Sequence, residues 1–275
     1  MMKAAYRTVN EQDIADYRRD GYYVARGLIP AEEVAFIRDA FMDATKDGPI
    51  EGLSEMSHVK GERDPLARWP RIMQPHQHPE HPLGAITTRY LLDRRIGDIL
   101  HDLLGEEAIA AQTMFYFKPP GARGQAPHQD NFYLKAQPGN CIAAWMAIDE
   151  CDQENGAICV YPGSHKLDIL CPGQADQDRF FAREQVDIPS DMPERLVRLS
   201  PGDVLFFEGN LVHGSHPNSS KDRFRRAFIC HYANKSCSAV AGWYKPLLEF
   251  DGRETVRTAN EQGGPCGTVE PAGLH

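Results

Sequence analysis

Hydrophobic and polar positions in the first part of the chain follow a helical repeat and then an extended one. Asn10 to Asp20 predicts a short helix, with Asn10 as its N-cap and Gly21 as the residue that ends it. Tyr22 to Ile29 predicts a strand, and Pro30 to Lys46 predicts a second helix with proline in its first turn. This order is typical of a helical support laid against a sheet.

The pattern breaks down over residues 47–84, which lose periodicity and gather proline, glycine and histidine. A long irregular segment in a compact domain is usually a functional loop or disordered. Helical spacing returns from Tyr90 to Leu104, where Gly105 is the expected C-cap. We therefore assign residues 1–105 to the helical support.

From Ala108 onward, apolar residues recur with a period of two, in short runs separated by turn residues such as PPG, QPGN and SPGD. The runs are AIAAQTMFYF, NCIAAWMAI, AICVYP, RLVRL, DVLFFEG and RRAFICHYA. Many short strands at close spacing predict a sandwich or barrel, and so a mainly β fold with flanking helices. We expect a core over 106–245 within one domain of residues 1–250, an insertion over one mouth at 166–194, and a loosely ordered tail at 251–275.

Composition narrows the class of partner. The 275 residues are 41% hydrophobic and 25% charged, enough for a sizeable core, and carry a formal net charge of −9. A nucleic-acid or anionic-membrane partner would require a face rich in lysine and arginine, so we expect neither. No apolar run approaches the roughly 18 residues of a membrane span, and MMKAAYRTVNEQD lacks the apolar stretch of a secretory signal. We expect a cytoplasmic monomer or homodimer that acts on a small molecule.

The seven cysteines include no CxxC pair that would indicate structural zinc or a redox motif. An odd number of cysteines, placed mostly in apolar segments, favours buried thiols in a reducing compartment over a disulfide framework. They are Cys141, Cys151, Cys159, Cys171, Cys230, Cys237 and Cys266.

The segment APHQDNFY places a histidine and an aspartate two positions apart. On an extended strand, residues i and i+2 point to the same face, so His128 and Asp130 should project together into the space that the sheet encloses. An imidazole beside a carboxylate is two thirds of the 2-His-1-carboxylate facial triad, which holds a non-heme Fe(II) and leaves coordination positions open. With eleven histidines in the chain, such a pair also arises by chance.

A third candidate ligand lies in GDVLFFEGNLVHGSHPNSSKDRFRRAFICHY. The turn SPGD begins a strand, His213 stands just beyond its end, and a polar turn leads to a second strand that opens with Arg225 and Arg226. Strands that close a barrel can bring His213 back to His128. The alternative is a surface histidine beside a hairpin.

Several motifs resemble those of a known family. HQDNFY, CIAAWMAID, ENGAICVYPGSHK and HGSHPNSSKDRFRRA, with the N-terminal DGYYVARGLI, are similar to segments of the phytanoyl-CoA dioxygenase family of Fe(II)- and 2-oxoglutarate-dependent oxygenases. The likeness runs from about Tyr17 to Tyr232. It implies a double-stranded β-helix, a jelly roll of the cupin type, and an enzyme that uses Fe(II), 2-oxoglutarate and O2.

The resemblance also implies roles for individual residues. His128 and Asp130 would be the proximal metal ligands, and His213 the distal one. Arg225 would hold the far carboxylate of 2-oxoglutarate. The other residues that match the co-substrate pocket are Met114, Trp145 and Ser215. Because Asp130 is present where related halogenases carry a small residue, hydroxylation or another oxidation is expected, with release of succinate and CO2.

The choice of arginine stays open at this point. The family usually has one residue fewer between the distal histidine and the arginine, which makes Arg226 the alternative to Arg225. Both faces of the strand that follows are apolar, so strand parity does not decide between them. A carboxylate taken into a low-dielectric barrel is matched better by the planar fork of an arginine than by a lysine. We favour Arg225.

Two other classes of function fit part of this pattern. A cupin-type metalloprotein could use the same ligands with zinc or manganese for redox-neutral chemistry, although only a 2-oxoglutarate user requires Arg225 and Trp145. A catalytically silent binding protein could keep the fold, although the complete triad argues against it. We expect substrate specificity from residues 47–84 and 166–194. The remaining conspicuous histidines are expected in structural or turn positions: His76, His78, His81, His165 and His216.

Overall fold

The computed structural model describes residues 9–260. The helices are α1 (Glu11–Asp20), α2 (Ala31–Ala44), α3 (Pro65–Arg68), α4 (Pro82–Leu91), α5 (Arg94–Leu104) and α6 (Asn131–Leu134). Within these residues, none of the helices has the length and apolar character needed to cross a membrane. The strands are β1 (Tyr22–Ala25), β2 (Ile72–Met73), β3 (Ala108–Tyr116), β4 (Gln125–His128), β5 (Cys141–Ala147), β6 (Ile158–Val160), β7 (Gly173–Gln174), β8 (Glu184–Gln185), β9 (Arg195–Leu196), β10 (Val204–Glu208), β11 (His213–Ser215), β12 (Ala227–Asn234), β13 (Ala239–Val240), β14 (Leu247–Leu248), β15 (Glu254–Thr255) and β16 (Thr258–Ala259).

Two antiparallel sheets form the centre of the molecule. The larger has the order β1-β10-β5-β12-β3-β14-β15, with β2 also paired to β3, and the smaller has the order β4-β11-β6-β9. Trp145 and Ile229 of the larger sheet share one buried cluster with Ile158 and Val160 of the smaller. The sheets therefore pack face to face, as in a jelly roll.

Side chains alternate between two covered faces along the central strands. On β12, Phe228 and Tyr232 pack with Ile37 of α2 and Leu100 of α5. Ile229, between them, faces the smaller sheet. Both faces of β12 are apolar because helices cover one and a sheet covers the other.

The N-terminal elements are close to those predicted but shorter. Asn10 caps α1 by accepting a hydrogen bond from the backbone N–H of Asp13 (2.9 Å), and Gly21 ends the helix in the left-handed region (φ 85°). The strand predicted over Tyr22 to Ile29 ends at Ala25, because the chain turns at Gly27 with φ 58°.

The prediction of a single helix over Tyr90 to Leu104 is wrong. The structure has two helices there, α4 and α5, separated at Leu92 and Asp93. The Asp93 carboxylate accepts a hydrogen bond from the backbone N–H of Arg95 (2.9 Å) and so starts a new helix. The helical spacing of apolar residues continues across the break, so the hydrophobic pattern alone does not reveal where one helix ends and the next begins.

The segment over residues 47–84 is less irregular than expected. It contains α3 and β2, and α4 begins within it at Pro82. Ile72 pairs with Phe115, and Met73 pairs with Met114. Two strand residues are too few to show a period, so pairing with β3 was not readable from the sequence.

The predicted insertion and tail are both hydrogen-bonded to the sheets. Within 166–194, the backbone N–H groups of Phe181 and Val186 donate to the carbonyls of Gly124 and Pro127 (2.9 Å each), so the insertion follows β4. In the predicted tail, β15 pairs with β14 and β16 pairs with β13. Residues 251–260 are thus paired rather than loosely ordered, and residues 261–275 lie outside the described residues.

Most cysteines are buried thiols, as predicted. The free ones among the described residues are Cys141, Cys151, Cys159, Cys230 and Cys237. Cys171 is an exception, because it is exposed and disulfide-bonded. Cys266 lies outside the described residues.

Candidate metal centre

Three predicted ligands meet between the two sheets. β4 and β11 are antiparallel neighbours with His213 opposite His128, and their ring centroids are 4.2 Å apart. Each Nε2 lies 3.5 Å from Oδ1 of Asp130. The donor atoms of the three side chains all lie within 4.8 Å of one another, and all three residues are buried. One metal ion could therefore contact all three.

Asp130 reaches this position by a turn, which corrects the expectation of a continuous strand. β4 ends at His128, and Asp130 has helical backbone angles (φ −62°, ψ −35°) at the start of α6. Its carbonyl accepts hydrogen bonds from the backbone N–H groups of Tyr133 (3.0 Å) and Leu134 (3.1 Å). The backbone N–H of Asn131 donates to the Gly209 carbonyl (2.9 Å), which ties the turn to the chain just after β10.

The two imidazoles are held in the orientation that metal binding requires. Nδ1 of His128 donates to the Ala126 carbonyl (2.8 Å), and Nδ1 of His213 donates to the Leu211 carbonyl (3.0 Å). Each Nε2 is then the lone-pair atom, directed toward Asp130. Burial lowers the pKa of His213 to about 4, against a smaller opposing effect of Asp130. His213 is therefore neutral at pH 7, as a metal ligand must be.

His231 holds the second oxygen of Asp130. Its Nε2 lies 3.0 Å from Oδ2, and both side chains are buried. Burial alone would raise the pKa of Asp130, but the surrounding imidazoles, His213 first, lower it well below its usual value. Oδ2 is engaged by His231, so Oδ1 is the oxygen left to face the two histidines. The sequence analysis assigned no role to His231.

One cavity is lined both by the triad and by the predicted co-substrate residues, Met114, Trp145, Ser215 and Arg225. Arg225 is 3% exposed, and its guanidinium lies 5.2 Å from the Trp145 ring centroid. Nε donates to the Gly156 carbonyl (3.1 Å), while the buried Nη1 has no hydrogen-bond partner among the described residues. A buried, unsatisfied guanidinium N–H beside the triad fits an anionic ligand.

Arg226 lies on the other side of the strand, away from this cavity. Its Nε and Nη2 donate to the two carboxylate oxygens of Asp149 (2.8 and 2.7 Å). The pair is partly exposed. Of the two arginines, Arg225 is the one that lines the cavity.

Lys118 also lies beside the cavity, and sequence reasoning missed it. Nζ donates to Oγ of Ser215 (2.8 Å) and to the Gly156 carbonyl (3.0 Å), and the residue is 4% exposed. Burial, and then the charge of Arg225, lower the pKa of Lys118 well below its usual value. The sequence signal was a lysine in KPPG directly after an apolar strand, which is more often a turn residue.

A family model decides between the classes of function left open by the sequence. The model for phytanoyl-CoA dioxygenase (PhyH) matches residues 17–227, most of the chain. The chain belongs to the phytanoyl-CoA dioxygenase family. It is accordingly an Fe(II)- and 2-oxoglutarate-dependent dioxygenase, an oxidoreductase with O2 as its second co-substrate.

This phytanoyl-CoA dioxygenase family member is similar in sequence or in fold to several named enzymes. The peroxisomal phytanoyl-CoA dioxygenase of Bos taurus is 28% identical over 247 residues, 82% of this chain and 68% of the relative. The ectoine dioxygenase of Sphingopyxis alaskensis is 25% identical over 246 residues, 82% of this chain and 76% of the relative. Among solved structures, the non-heme alpha ketoglutarate dependent carbocyclase SnoK from nogalamycin biosynthesis has a TM-score of 0.67 at 21% identity, covering 92% of this chain and 98% of SnoK. The predicted jelly-roll fold is confirmed.

Among the described residues, the histidines of the segment PHQHPEH do not form a metal site with one another. Nδ1 of His76 is 2.8 Å from Oγ1 of Thr113, His78 contacts Glu80 (3.1 Å), and His81 caps α4 through its ring. These are three separate structural roles.

His216 belongs to a second cluster of donor atoms, with Cys159 and Glu194. Its Nε2 is 2.7 Å from Glu194, and its Nδ1 is 3.0 Å from Nη2 of Arg179. Both ring nitrogens are thus engaged by charged partners, and the adjacent guanidinium disfavours a cation. We assign no metal to this cluster.

Proposed function

We propose that this protein hydroxylates a small molecule and that Nε2 of His128, Nε2 of His213 and Oδ1 of Asp130 bind its Fe(II). The convergence of these three atoms on one point, in a cavity that also holds the unsatisfied guanidinium of Arg225, carries the proposal. Two neutral imidazoles and one carboxylate are the donor set of the facial triad. The distal carboxylate of 2-oxoglutarate would supply the hydrogen-bond acceptor that Nη1 of Arg225 lacks among the described residues.

The reaction converts a substrate C–H bond into C–OH. One atom of O2 enters the substrate and the other enters succinate, while 2-oxoglutarate loses its first carboxyl group as CO2. Fe(II) bound by His128, Asp130 and His213 would supply open coordination positions for 2-oxoglutarate and O2. Arg225 and Ser215 are proposed to hold the far carboxylate, while Met114 and Trp145 form an apolar wall that excludes water.

Hydroxylation is favoured because all three protein ligands are present. A carboxylate at position 130 occupies the position that a halide would need. We expect a small substrate in a second cavity, which adjoins the first and shares Tyr116 and Arg225 with it. Its other walls include His58 and Phe181, from the two segments expected to set specificity.

Other properties stay predictions. They are a single oxygenase domain over residues 1–250, a cytoplasmic location, a monomeric or homodimeric state, and the lack of a nucleic-acid or membrane partner.

The test is anaerobic addition of Fe(II) and 2-oxoglutarate to metal-free protein. A weak visible metal-to-ligand charge-transfer band is expected, since 2-oxoglutarate chelates Fe(II) in the proposed site. A folded, iron-loaded protein that gives no band would overturn the proposal.

Asp130→Ala should abolish both the band and succinate formation, because it removes the only carboxylate among the three ligands. Asp149→Asn is the matched control, since that carboxylate pairs with Arg226 outside the cavity. Succinate formation by Asp130→Ala at the wild-type rate would mean that another carboxylate binds iron.

A further inference from the structure

Two basic side chains, those of Lys118 and Arg225, donate hydrogen bonds to the same backbone carbonyl, that of Gly156. Nζ of Lys118 and Nε of Arg225 both donate to the carbonyl of Gly156 (3.0 and 3.1 Å). Both residues are buried, and neither forms an ion pair with a carboxylate in the described part of the chain, residues 9–260. Two buried basic side chains without a carboxylate partner favour a ligand that brings negative charge, and such a ligand would in turn favour the charged form of Lys118.

Lys118 reaches the Gly156 carbonyl from a strained backbone conformation. Its φ is 39°, in the left-handed region that residues other than glycine rarely adopt. The conformation is held by the Lys118 carbonyl, which accepts hydrogen bonds from the backbone N–H of Arg225 (3.1 Å) and Nδ2 of Asn218 (3.0 Å). Gly156 is also required, because a Cβ there would lie 2.9 Å from Nζ of Lys118 and 2.4 Å from the His216 carbonyl.

Lys118 also determines where the hydroxyl proton of Ser215 can point. Oγ accepts hydrogen bonds from Nζ of Lys118 (2.8 Å) and from the backbone N–H of Gln125 (3.3 Å). A hydroxyl oxygen has two lone pairs and one proton. With both lone pairs engaged, the proton is left to donate, and the side chain lines the cavity that contains the triad.

We propose that Lys118 is a positioning residue for the second carboxylate of 2-oxoglutarate. It directs the Ser215 hydroxyl proton toward that carboxylate and, with Arg225, supplies the positive charge that selects a 2-oxo diacid over a 2-oxo monoacid. This inference rests on the proposed function, because it assumes that 2-oxoglutarate lies between the iron and Arg225.

The experiment measures dissociation constants of two 2-oxo acids by the charge-transfer band, anaerobically, with Fe(II) present. The acids are 2-oxoglutarate and 2-oxopentanoate, which lacks the second carboxylate. Lys118→Met should raise the dissociation constant of 2-oxoglutarate about 10- to 100-fold, the usual effect of losing a charged hydrogen-bonding partner. The constant for 2-oxopentanoate should change less than about twofold, because that acid has no group near Nζ.

Lys118→Asn separates this role from folding. Asparagine adopts the left-handed region more readily than most residues, so this variant should fold even if Lys118→Met does not. It should show the same selective loss, and Lys118→Arg should recover part of the 2-oxoglutarate affinity because it keeps the charge.

Equal weakening of both acids in Lys118→Asn, or an unchanged dissociation constant for 2-oxoglutarate, would overturn the role of Lys118 and leave the proposed function intact. A wild-type protein that gives no band with 2-oxoglutarate would overturn the proposed function itself.

Discussion

At the scale of single residues, the orientation of the Asp130 carboxylate depends on a neighbouring residue that is not itself a candidate metal ligand. His231 donates from Nε2 to Oδ2 of Asp130. Hydrogen-bond partners of metal ligands fix the orientation of the ligand and raise its affinity for the metal. His231 therefore determines which carboxylate oxygen faces His128 and His213.

His231→Phe should weaken Fe(II) binding about 10- to 100-fold, the usual effect of losing such a partner. Phenylalanine keeps an aromatic ring, slightly larger than imidazole, but removes the hydrogen bond from His231 to Oδ2. Titration of metal-free protein with Fe(II) under anaerobic conditions measures the dissociation constant.

Two variants make the comparison specific. His231→Gln offers an amide N–H and should recover part of the Fe(II) affinity. His165→Gln alters a histidine whose ring contacts the Arg18 carbonyl (3.2 Å) and should leave Fe(II) binding unchanged. Wild-type Fe(II) affinity in His231→Phe would show that Asp130 is oriented by its own turn.

Residue types and spacing indicated the three candidate ligands, but not the conformation that brings them together. The spacing of His128 and Asp130 predicts a strand that carries both, whereas Asp130 lies at the start of a helical turn. Lys118 was missed because its importance comes from contacts with Ser215 and Gly156, which are distant in sequence. Local patterns carry no information about such contacts.

At the scale of elements, the phase of β12 determines which arginine enters the cavity. Arg225 follows the alternation of Ala227 and Ile229, which face the smaller sheet. Arg226 follows that of Phe228, which faces the helices. The sequence could not decide between them because both faces are covered and apolar.

Arg225→Ala should raise the 2-oxoglutarate dissociation constant by an amount corresponding to about 2–5 kcal/mol, the usual cost of removing one partner of a buried charge pair. Arg226→Ala is the matched control. It removes a partly exposed pair with Asp149, and we expect it to lower the free energy of unfolding by about 1 kcal/mol without changing 2-oxoglutarate binding.

The charge-transfer titration and urea unfolding measure the two effects. If Arg226→Ala weakened 2-oxoglutarate binding and Arg225→Ala did not, the strand phase in the enzyme would be opposite to that described.

Element boundaries were predictable where a cap is strong and unpredictable where packing decides. Asn10 and Gly21 bound α1 as expected. Asp93 is also a good N-cap, but the apolar spacing runs on through it and predicted one helix instead of two. Ile72 and Met73 form a strand only because β3 offers an edge to them.

At the scale of the whole molecule, buried polar groups tie the irregular segment to the core. His76 lies in the turn after β2 and is 8% exposed, with Nδ1 2.8 Å from Oγ1 of Thr113 on β3. Its Nε2 is buried without a hydrogen-bond partner among the described residues. A charged imidazole is unfavourable here, and burial, followed by the nearby His78, lowers the pKa of His76 to about 4 from its ordinary 6.5.

This shift predicts how the stability of the molecule depends on pH. Between pH 6.5 and 4 the unfolded chain binds a proton at His76 and the folded chain does not, so stability falls as the pH falls through that window. His76 alone should reduce the free energy of unfolding by about 2 kcal/mol between pH 7 and pH 5. Urea unfolding of wild type and His76→Gln at both pH values isolates this contribution, because glutamine does not titrate and all other groups are shared. The wild type should lose about 2 kcal/mol more than the variant. Equal losses would mean that His76 is solvated or charged in the folded protein, and that the turn after β2 is not packed against β3 as described.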